Sequence, residues 1–86
     1  MMRMYCVYDN VSKGCVGPII QERADASAIR SFKLAVADRE GQLGKYPKDY
    51  ELMCIGIFDE YSGDIILNDN EFPKIVVTGA QIELGL

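Results

Sequence analysis

The stretch Glu51-Leu52-Met53-Cys54-Ile55-Gly56-Ile57-Phe58, residues 51–58, is the most hydrophobic part of the chain. A short apolar run of this kind, bounded by polar residues, is typical of a buried β-strand. Gly56 in its interior indicates a bulge or a close approach of another backbone segment. We therefore expect the fold to be built around this strand.

Four further segments have the composition of strands. The first two, over residues 2–8 and 15–21, are joined by the turn-forming residues 9–14 and predict a hairpin. Because Pro18 has no backbone N–H, the second of these strands is predicted to be an edge strand or to be bulged there. The remaining two strands are predicted over residues 64–67 and 74–78.

One helix is predicted from Ala26 to about Asp38, with Asp25 as its N-cap. Apolar side chains recur along it at the spacing of one helical face, namely at Ala28, Ile29, Phe32, Ala35 and Val36. The residues after the last strand, 80–86, are expected to form a frayed tail. The sequence thus predicts an α+β fold: a single domain over residues 1–86, in the order ββαβββ, with a mainly antiparallel sheet and one helix packed on one face.

Missing and scarce residue types narrow the classes of function. The 86 residues contain no histidine, which removes the commonest general base and the commonest metal ligand. The three cysteines form no CxxC pair, so we expect reduced thiols, with a Cys6–Cys15 bridge in the first hairpin as the open alternative. No apolar run approaches the roughly 20 residues that cross a bilayer. We expect a cytosolic protein that is not an enzyme, holds no cofactor or metal, and contacts no membrane.

The charges are divided unequally between the two halves of the chain. Residues 1–48 carry eight basic and five acidic side chains, whereas residues 49–86 carry eight acidic side chains and one basic residue, Lys74. The net charge of −4 therefore hides a dipolar molecule that could offer a basic face to an anionic partner. The sequence pI of about 4.6 weighs against a dedicated DNA-binding domain, although a local basic patch can bind DNA weakly and with strong salt dependence.

Three blocks of sequence, taken in order, carry a family resemblance. They are Tyr5 to Asp9 followed by Gly17-Pro18; Asp25 to Phe32; and Tyr46 to Leu52 followed by IGIFD (55–59) and SGDI (62–65). Over roughly residues 3–67, the chain closely resembles the small nonstructural protein of gokushovirus-type microviruses, which are icosahedral phages with single-stranded DNA. The resemblance implies a nonenzymatic protein of the host cytoplasm, sometimes described as DNA-binding, that acts where genome synthesis meets packaging into procapsids.

The resemblance and the charge pattern together suggest an interface for single-stranded DNA in the basic half. Arg30 and Lys33, opposite the apolar side of the helix, are the first candidates for phosphate contacts. Arg3, Arg23 and Tyr5 come next, with Tyr5 offering a ring on which a base could stack. Two alternatives stay open: a solvated helix face with scattered surface charges, and a protein–protein adaptor that docks on a viral replication or procapsid component without contacting DNA.

Three other features have both a functional and a structural interpretation. The segment 47–50, PKDY, is expected to be a structural turn rather than a recognition loop. An acidic cluster around the second predicted hairpin turn, residues 59–64, lacks a calcium-binding motif and is expected to be a solvated face: Asp59, Glu60, Asp64, Asp69 and Glu71. A contact with a basic partner, or charge that keeps exposed strand edges from pairing, is the further alternative. A set of apolar residues in polar surroundings is interpreted as the interface of a homo-oligomer rather than as scattered surface positions: Tyr61, Phe72, Ile82, Leu84 and Leu86.

Overall fold

A computed structural model describes residues 1–68 and 70–85 of the chain. Its strands are β1 (Met2–Asp9), β2 (Gly14–Glu22), β3 (Tyr50–Phe58), β4 (Ile65–Ile66) and β5 (Lys74–Thr78). Its helices are α1 (Asp25–Ala37), α2 (Gln42–Lys45) and α3 (Gly79–Glu83), with a 3₁₀ turn at Pro47–Asp49. None of the helices in this described part is long and apolar enough to cross a membrane. The α+β class predicted from the sequence is confirmed.

Strand β3, which contains the hydrophobic stretch 51–58, lies at the centre of the sheet. It pairs with β1 along one side, and on the other side with β5 near its start and β4 near its end, always antiparallel. The β1–β3 register shifts where Met4 faces Gly56 and Tyr5 faces Cys54, which is the irregularity that the glycine predicted. On the far side of β1, strand β2 forms an edge of the sheet, as Pro18 requires.

Helix α1 packs against one face of this sheet and closes the core. Its side chains Ala28, Phe32 and Val36 are buried, as the apolar spacing predicted, whereas Ala35 is exposed. They join the strand residues Tyr5, Tyr50, Leu52, Cys54 and Val77 in the core cluster. Phe72, which precedes β5, is also buried there, so its predicted place in an oligomer interface is wrong. Full burial of one such large apolar side chain contributes roughly 1.5–3 kcal/mol, so this cluster holds the helix in a fixed position on the sheet.

The start of α1 differs from the prediction. Its N-cap is Ala24, which makes no side-chain capping hydrogen bond, and Asp25 is the first helical residue. The Asp25 carboxylate instead accepts a hydrogen bond from the Tyr5 hydroxyl at 2.7 Å. A negative side chain remains favourable in the first helical turn because it faces the positive end of the helix dipole, and here it also joins the helix to β1.

Two segments outside the predicted helix and strands contain short helices. The loop 40–49 forms α2 and the 3₁₀ turn, and Gly44 of α2 packs so closely on α1 that a Cβ there would overlap the carbonyl oxygen of Asp38. The expected frayed tail contains α3, which begins at a capping box of Thr78 and Gln81. These short helices depend on their tertiary and capping contacts because isolated helices of this length are unstable in water. Leu86 of that tail lies outside the described residues.

Candidate nucleic-acid interface

The exposed side of α1 carries the two residues that ranked first as phosphate contacts. Arg30 and Lys33 are exposed, and residues three apart in a helix are neighbours on its surface. Within the described residues, neither side chain forms a salt bridge with a carboxylate. Both positive charges are therefore available to an anionic ligand.

The short helical segments after α1 add further positive charge. Residues 26–48 contain five basic and only two acidic side chains, and α2 packs against both α1 and the 3₁₀ turn. We use the term basic helical surface for the five residues Arg30, Lys33, Arg39, Lys45 and Lys48. Arg39 also has a structural role, because its Nη1 donates a hydrogen bond of 3.2 Å to the carbonyl oxygen of Gly44. Lys45 and Lys48 are exposed, and they were not among the candidates derived from the sequence.

An exposed aromatic ring lies among these lysines. Tyr46, which is 56% exposed, joins α2 to the 3₁₀ turn. It lines a surface hollow of about 330 Å³ together with Lys45, Pro47, Lys48, Asp49 and Glu83. An accessible ring flanked by ammonium groups can stack on a base while the lysines contact phosphates, although the two carboxylates would repel a phosphate on their side of the hollow.

Arg3 and Tyr5 have structural partners at the start of α1. The Arg3 Nε donates to Asp25 Oδ1 at 3.1 Å, and the Tyr5 hydroxyl donates to the same oxygen. Tyr5 is 0% exposed, so its ring is not accessible for base stacking and the role proposed from the sequence is excluded. This arrangement makes Asp25 the centre of a small network that joins the first strand to the helix.

The same network shifts the pKa values of its members. The hydrogen bond from Tyr5, followed by the positive charge of Arg3, holds the pKa of Asp25 below its usual value, against the opposing effect of partial burial. Burial, followed by the hydrogen bond to Asp25, raises the pKa of Tyr5. Asp25 is therefore charged and Tyr5 protonated at neutral pH, and this is the state in which the hydrogen bond between them forms.

Arg23 is also engaged by a carboxylate. Its Nη1 lies 3.5 Å from Glu60 Oε1, and the N-terminal ammonium of Met1 lies 3.0 Å from Glu60 Oε2. Antiparallel pairing of β1 with β3 brings the start of the chain next to the turn after Phe58, which is how Glu60 reaches both cations. Part of the positive charge of Arg23 is thus already compensated, unlike that of Arg30 and Lys33.

The acidic residues of the second turn shape the backbone. Asp59 Oδ1 accepts hydrogen bonds from the backbone N–H groups of Tyr61 at 3.0 Å and Ser62 at 3.4 Å. The first of these hydrogen bonds is the main reason that the pKa of Asp59 lies below its usual value. Within the described part of the chain, no three acidic or cysteine side chains come together as a metal site. Asp69, another member of the predicted cluster, lies outside the described residues.

The sequence contained a signal for the missed part of the site. In the segment 47–50, Pro47 and Tyr50 are buried and Lys48 is exposed. The prediction of a structural turn therefore fits Pro47 and Tyr50, whereas Lys48 is accessible to a ligand. An exposed aromatic residue between two lysines, as in Lys45-Tyr46-Pro47-Lys48, is a pattern suited to single-stranded nucleic acid. This pattern is a weak signal because the residues around Tyr46 have no helical or strand periodicity from which the exposure of its ring could be predicted.

Comparison with known proteins places the chain in a phage family. A family model described as Phage ORF5 protein matches residues 2–82. The match extends beyond the resemblance noted over residues 3–67 and includes β5 and all but the last residue of α3. No curated protein and no solved structure matches the chain. Because the family model spans nearly all of the sequence, the chain belongs to the Phage ORF5 protein family.

Proposed function

We propose that this phage protein is a noncatalytic, nonstructural protein of gokushovirus-type microviruses that binds single-stranded DNA during genome replication or packaging in the host cytoplasm. The contact surface is the basic helical surface together with the ring of Tyr46. The proposal is supported by the phage family match and by the resemblance of residues 3–67 to the nonstructural protein of those phages.

The observation that carries this proposal is the difference between the paired and unpaired cations. Arg3 and Arg23 lie against Asp25 and Glu60. Arg30 and Lys33 have no carboxylate partner among the described residues, so they lose no existing ion pair when they contact a phosphate. The remainder of the molecule is acidic and repels DNA, so binding is expected to be weak, restricted to this surface and strongly dependent on salt.

A salt titration with a labelled single-stranded oligonucleotide tests the proposal. The double variant Arg30→Gln/Lys33→Gln is expected to bind about tenfold more weakly than the wild type at low salt, because two phosphate contacts are lost. Its plot of log affinity against log salt should be shallower by roughly 1.4, at about 0.7 per phosphate contact with a single strand. The control is Lys13→Gln/Arg23→Gln, which removes the same net charge elsewhere and should bind like the wild type.

Two outcomes would decide against this function. Equal losses in the two double variants would mean that only net charge matters and that α1 is not the contact surface. An absence of wild-type binding at low salt would reject the DNA interaction altogether. A third variant, Tyr46→Ala, tests the stacking contact separately. It should weaken binding by about 1–3 kcal/mol per stacked base without changing the salt dependence, whereas Tyr46→Phe should retain affinity.

A second candidate function, a docking adaptor without DNA contact, is favoured by exposed apolar residues in and around β4. Ile65 and Leu67 are alternate residues in and after β4, so they lie on the same face of the extended segment. Both are exposed, as are Ile66 and Tyr61, the latter at 89%. A contiguous exposed apolar patch marks a protein interaction site more often than single residues do. The partner would be a viral replication or procapsid protein, or a second copy of this chain.

Sedimentation analysis distinguishes a homo-oligomer of this chain from an adaptor that binds a different protein. A homo-oligomer that uses the patch should dissociate in the variant Ile65→Lys/Leu67→Lys, because charged side chains would be buried in the interface. A monomeric wild type would leave a different protein as the only partner. Retention of the wild-type oligomer in the variant would exclude this patch as the oligomer interface.

A further inference from the structure

Two of the three cysteines lie next to each other across the first hairpin. All three are unbonded thiols, as expected from the sequence. The Sγ atoms of Cys6 in β1 and Cys15 in β2 are only 2.7 Å apart. Cys54, on β3, instead contacts the carbonyl oxygen of Gly56 through its sulfur.

The register of the hairpin explains this proximity. Cys15 faces Tyr8 across the ladder, and Tyr8 lies two residues beyond Cys6, so the two cysteines are diagonal neighbours on one face of the sheet. That face is opposite to α1, because the adjacent Tyr5 points into the core beneath the helix. The β1–β2 register shifts between Tyr5 and Val7, and such a bulge re-aims side chains next to it. The shift occurs at Cys6 itself.

We propose that Cys6 and Cys15 form a reversible disulfide site, which a low-molecular-weight disulfide such as oxidised glutathione closes. The two sulfur atoms, 2.7 Å apart, need to approach only slightly to reach the roughly 2.05 Å of a disulfide bond. The bond would close a ring over the ten residues 6–15. The inference does not depend on DNA binding, because it rests on the hairpin alone.

The two cysteines have different access to the oxidant. Cys15 is exposed, whereas Cys6 is 3% exposed. Burial, followed by the hydrogen bond with Cys15, raises the pKa of Cys6 to about 12. Because the thiolate is the attacking species and access governs the rate, Cys15 is the residue that reacts first and Cys6 is the one that resolves the intermediate.

The exchange occurs in two displacements. The Cys15 thiolate attacks one sulfur of glutathione disulfide, the S–S bond of the oxidant breaks, and one glutathione thiolate leaves and is protonated. Cys6 then gives up its proton to solvent, and its sulfur attacks Cys15 Sγ and releases the second glutathione. The protein loses two electrons and two protons in total, and one glutathione disulfide is reduced to two glutathione molecules.

Intact mass and thiol counting test the site on the whole protein. After incubation with oxidised glutathione and removal of the reagent, we expect the mass to fall by two hydrogen atoms. Alkylation under denaturing conditions should then label one cysteine instead of three, and peptide mapping should join Cys6 to Cys15. The oxidised protein should melt roughly 10 °C higher than the reduced one, since the bridge restricts the unfolded chain.

Matched variants distinguish this pair from the third cysteine. Cys54→Ala should still lose two hydrogen atoms on oxidation, whereas Cys15→Ser, a change at an exposed position, should lose none and keep two alkylatable cysteines. A stable glutathione adduct on wild-type Cys15 would overturn the proposal, because it would mean that Cys6 does not reach the intermediate. Three alkylatable cysteines after oxidation would overturn it as well.

Discussion

Arg3 and Arg23 lie near one end of the sheet, where β1 begins and β2 ends, and each contacts a carboxylate. Arg30 and Lys33 lie on the exposed side of α1, and no described carboxylate pairs with them. All four residues belong to the basic half of the sequence. The sequence favoured Arg30 and Lys33 for phosphate contact, but it gave no sign that Arg3 and Arg23 would be paired with carboxylates. For Arg23 the difference arises because antiparallel pairing brings Glu60, in the acidic turn after β3, to the start of β1. For Arg3 it arises because the start of α1 places Asp25 beside β1.

This contrast shows that a count of basic residues overestimates the charge that a ligand can use. The cations at the end of the sheet stabilise contacts between segments, whereas those of the basic helical surface have no such partner in the described structure. The following predictions test this distinction, beginning with the change expected to have the largest effect.

Substitution of Gly44 by alanine should have the largest effect of these changes, because it separates α2 from α1. A Cβ at this position would overlap the backbone carbonyl of Asp38, and overpacking against a rigid backbone costs about 3 kcal/mol. We expect the free energy of unfolding, measured by urea denaturation, to fall by that amount. DNA binding should weaken too, because Lys45 would move away from α1.

Gly14→Ala provides the control for that change. A Cβ at Gly14 would meet no atom within 4 Å, so the free energy of unfolding should change by less than about 0.5 kcal/mol. Similar losses in the two variants would mean that the close packing of α2 on α1 does not matter for stability.

Asp25→Ala should have the next largest effect, because it leaves the buried Tyr5 hydroxyl without its acceptor. An unsatisfied buried hydroxyl costs about 1–3 kcal/mol, and the partly exposed Arg3 contact adds little to this. In a Tyr5→Phe background, the same Asp25→Ala change should cost distinctly less, since the donor is already absent. A double-mutant cycle by urea denaturation measures the coupling, and a coupling of zero would contradict the role assigned to Asp25.

The same residue predicts a dependence of stability on pH. The pKa of Asp25 is lowered in the folded protein, so its contribution is fully present above the unfolded value of about 3.9. It is lost as the pH falls from there through the lowered folded value, because the unfolded state then binds the proton more readily. Unfolding free energies measured across this acidic range should therefore decline more steeply for the wild type than for Asp25→Asn. Parallel curves would mean that Asp25 does not contribute.

Arg23→Gln should have the smallest effect. Its ion pair with Glu60 is exposed to solvent and long, at 3.5 Å, and pairs of this kind add little to stability. We expect a urea midpoint unchanged within error and DNA affinity close to that of the wild type. A loss of affinity as large as that of the Arg30→Gln/Lys33→Gln variant would place the DNA at the end of the sheet and contradict the assignment of the contact surface to α1.

Much of the fold could be predicted from local patterns. The strand over 74–78 was predicted with its observed bounds, and the helix and the central strand within one residue at each end. The α3 helix was missed although its capping pair, Thr78 and Gln81, has the spacing of a capping box. The α2 helix could not be predicted because its four residues carry no periodic pattern and depend on packing against α1. At the site, the sequence indicated the exposed cations of α1 and ranked them before Arg3, but it gave no sign that Arg3 would contact Asp25.

The sequence by itself determined which segments alternate or repeat in apolar character, and hence the α+β class, the central strand and the edge position of β2. It also determined the unequal distribution of charge along the chain. Only the tertiary structure decided that Tyr5 is buried, that Arg3 and Arg23 contact Asp25 and Glu60, and that Cys6 meets Cys15. Periodicity is a local property that each segment carries within itself, whereas these contacts join residues that become neighbours only through strand register and helix packing.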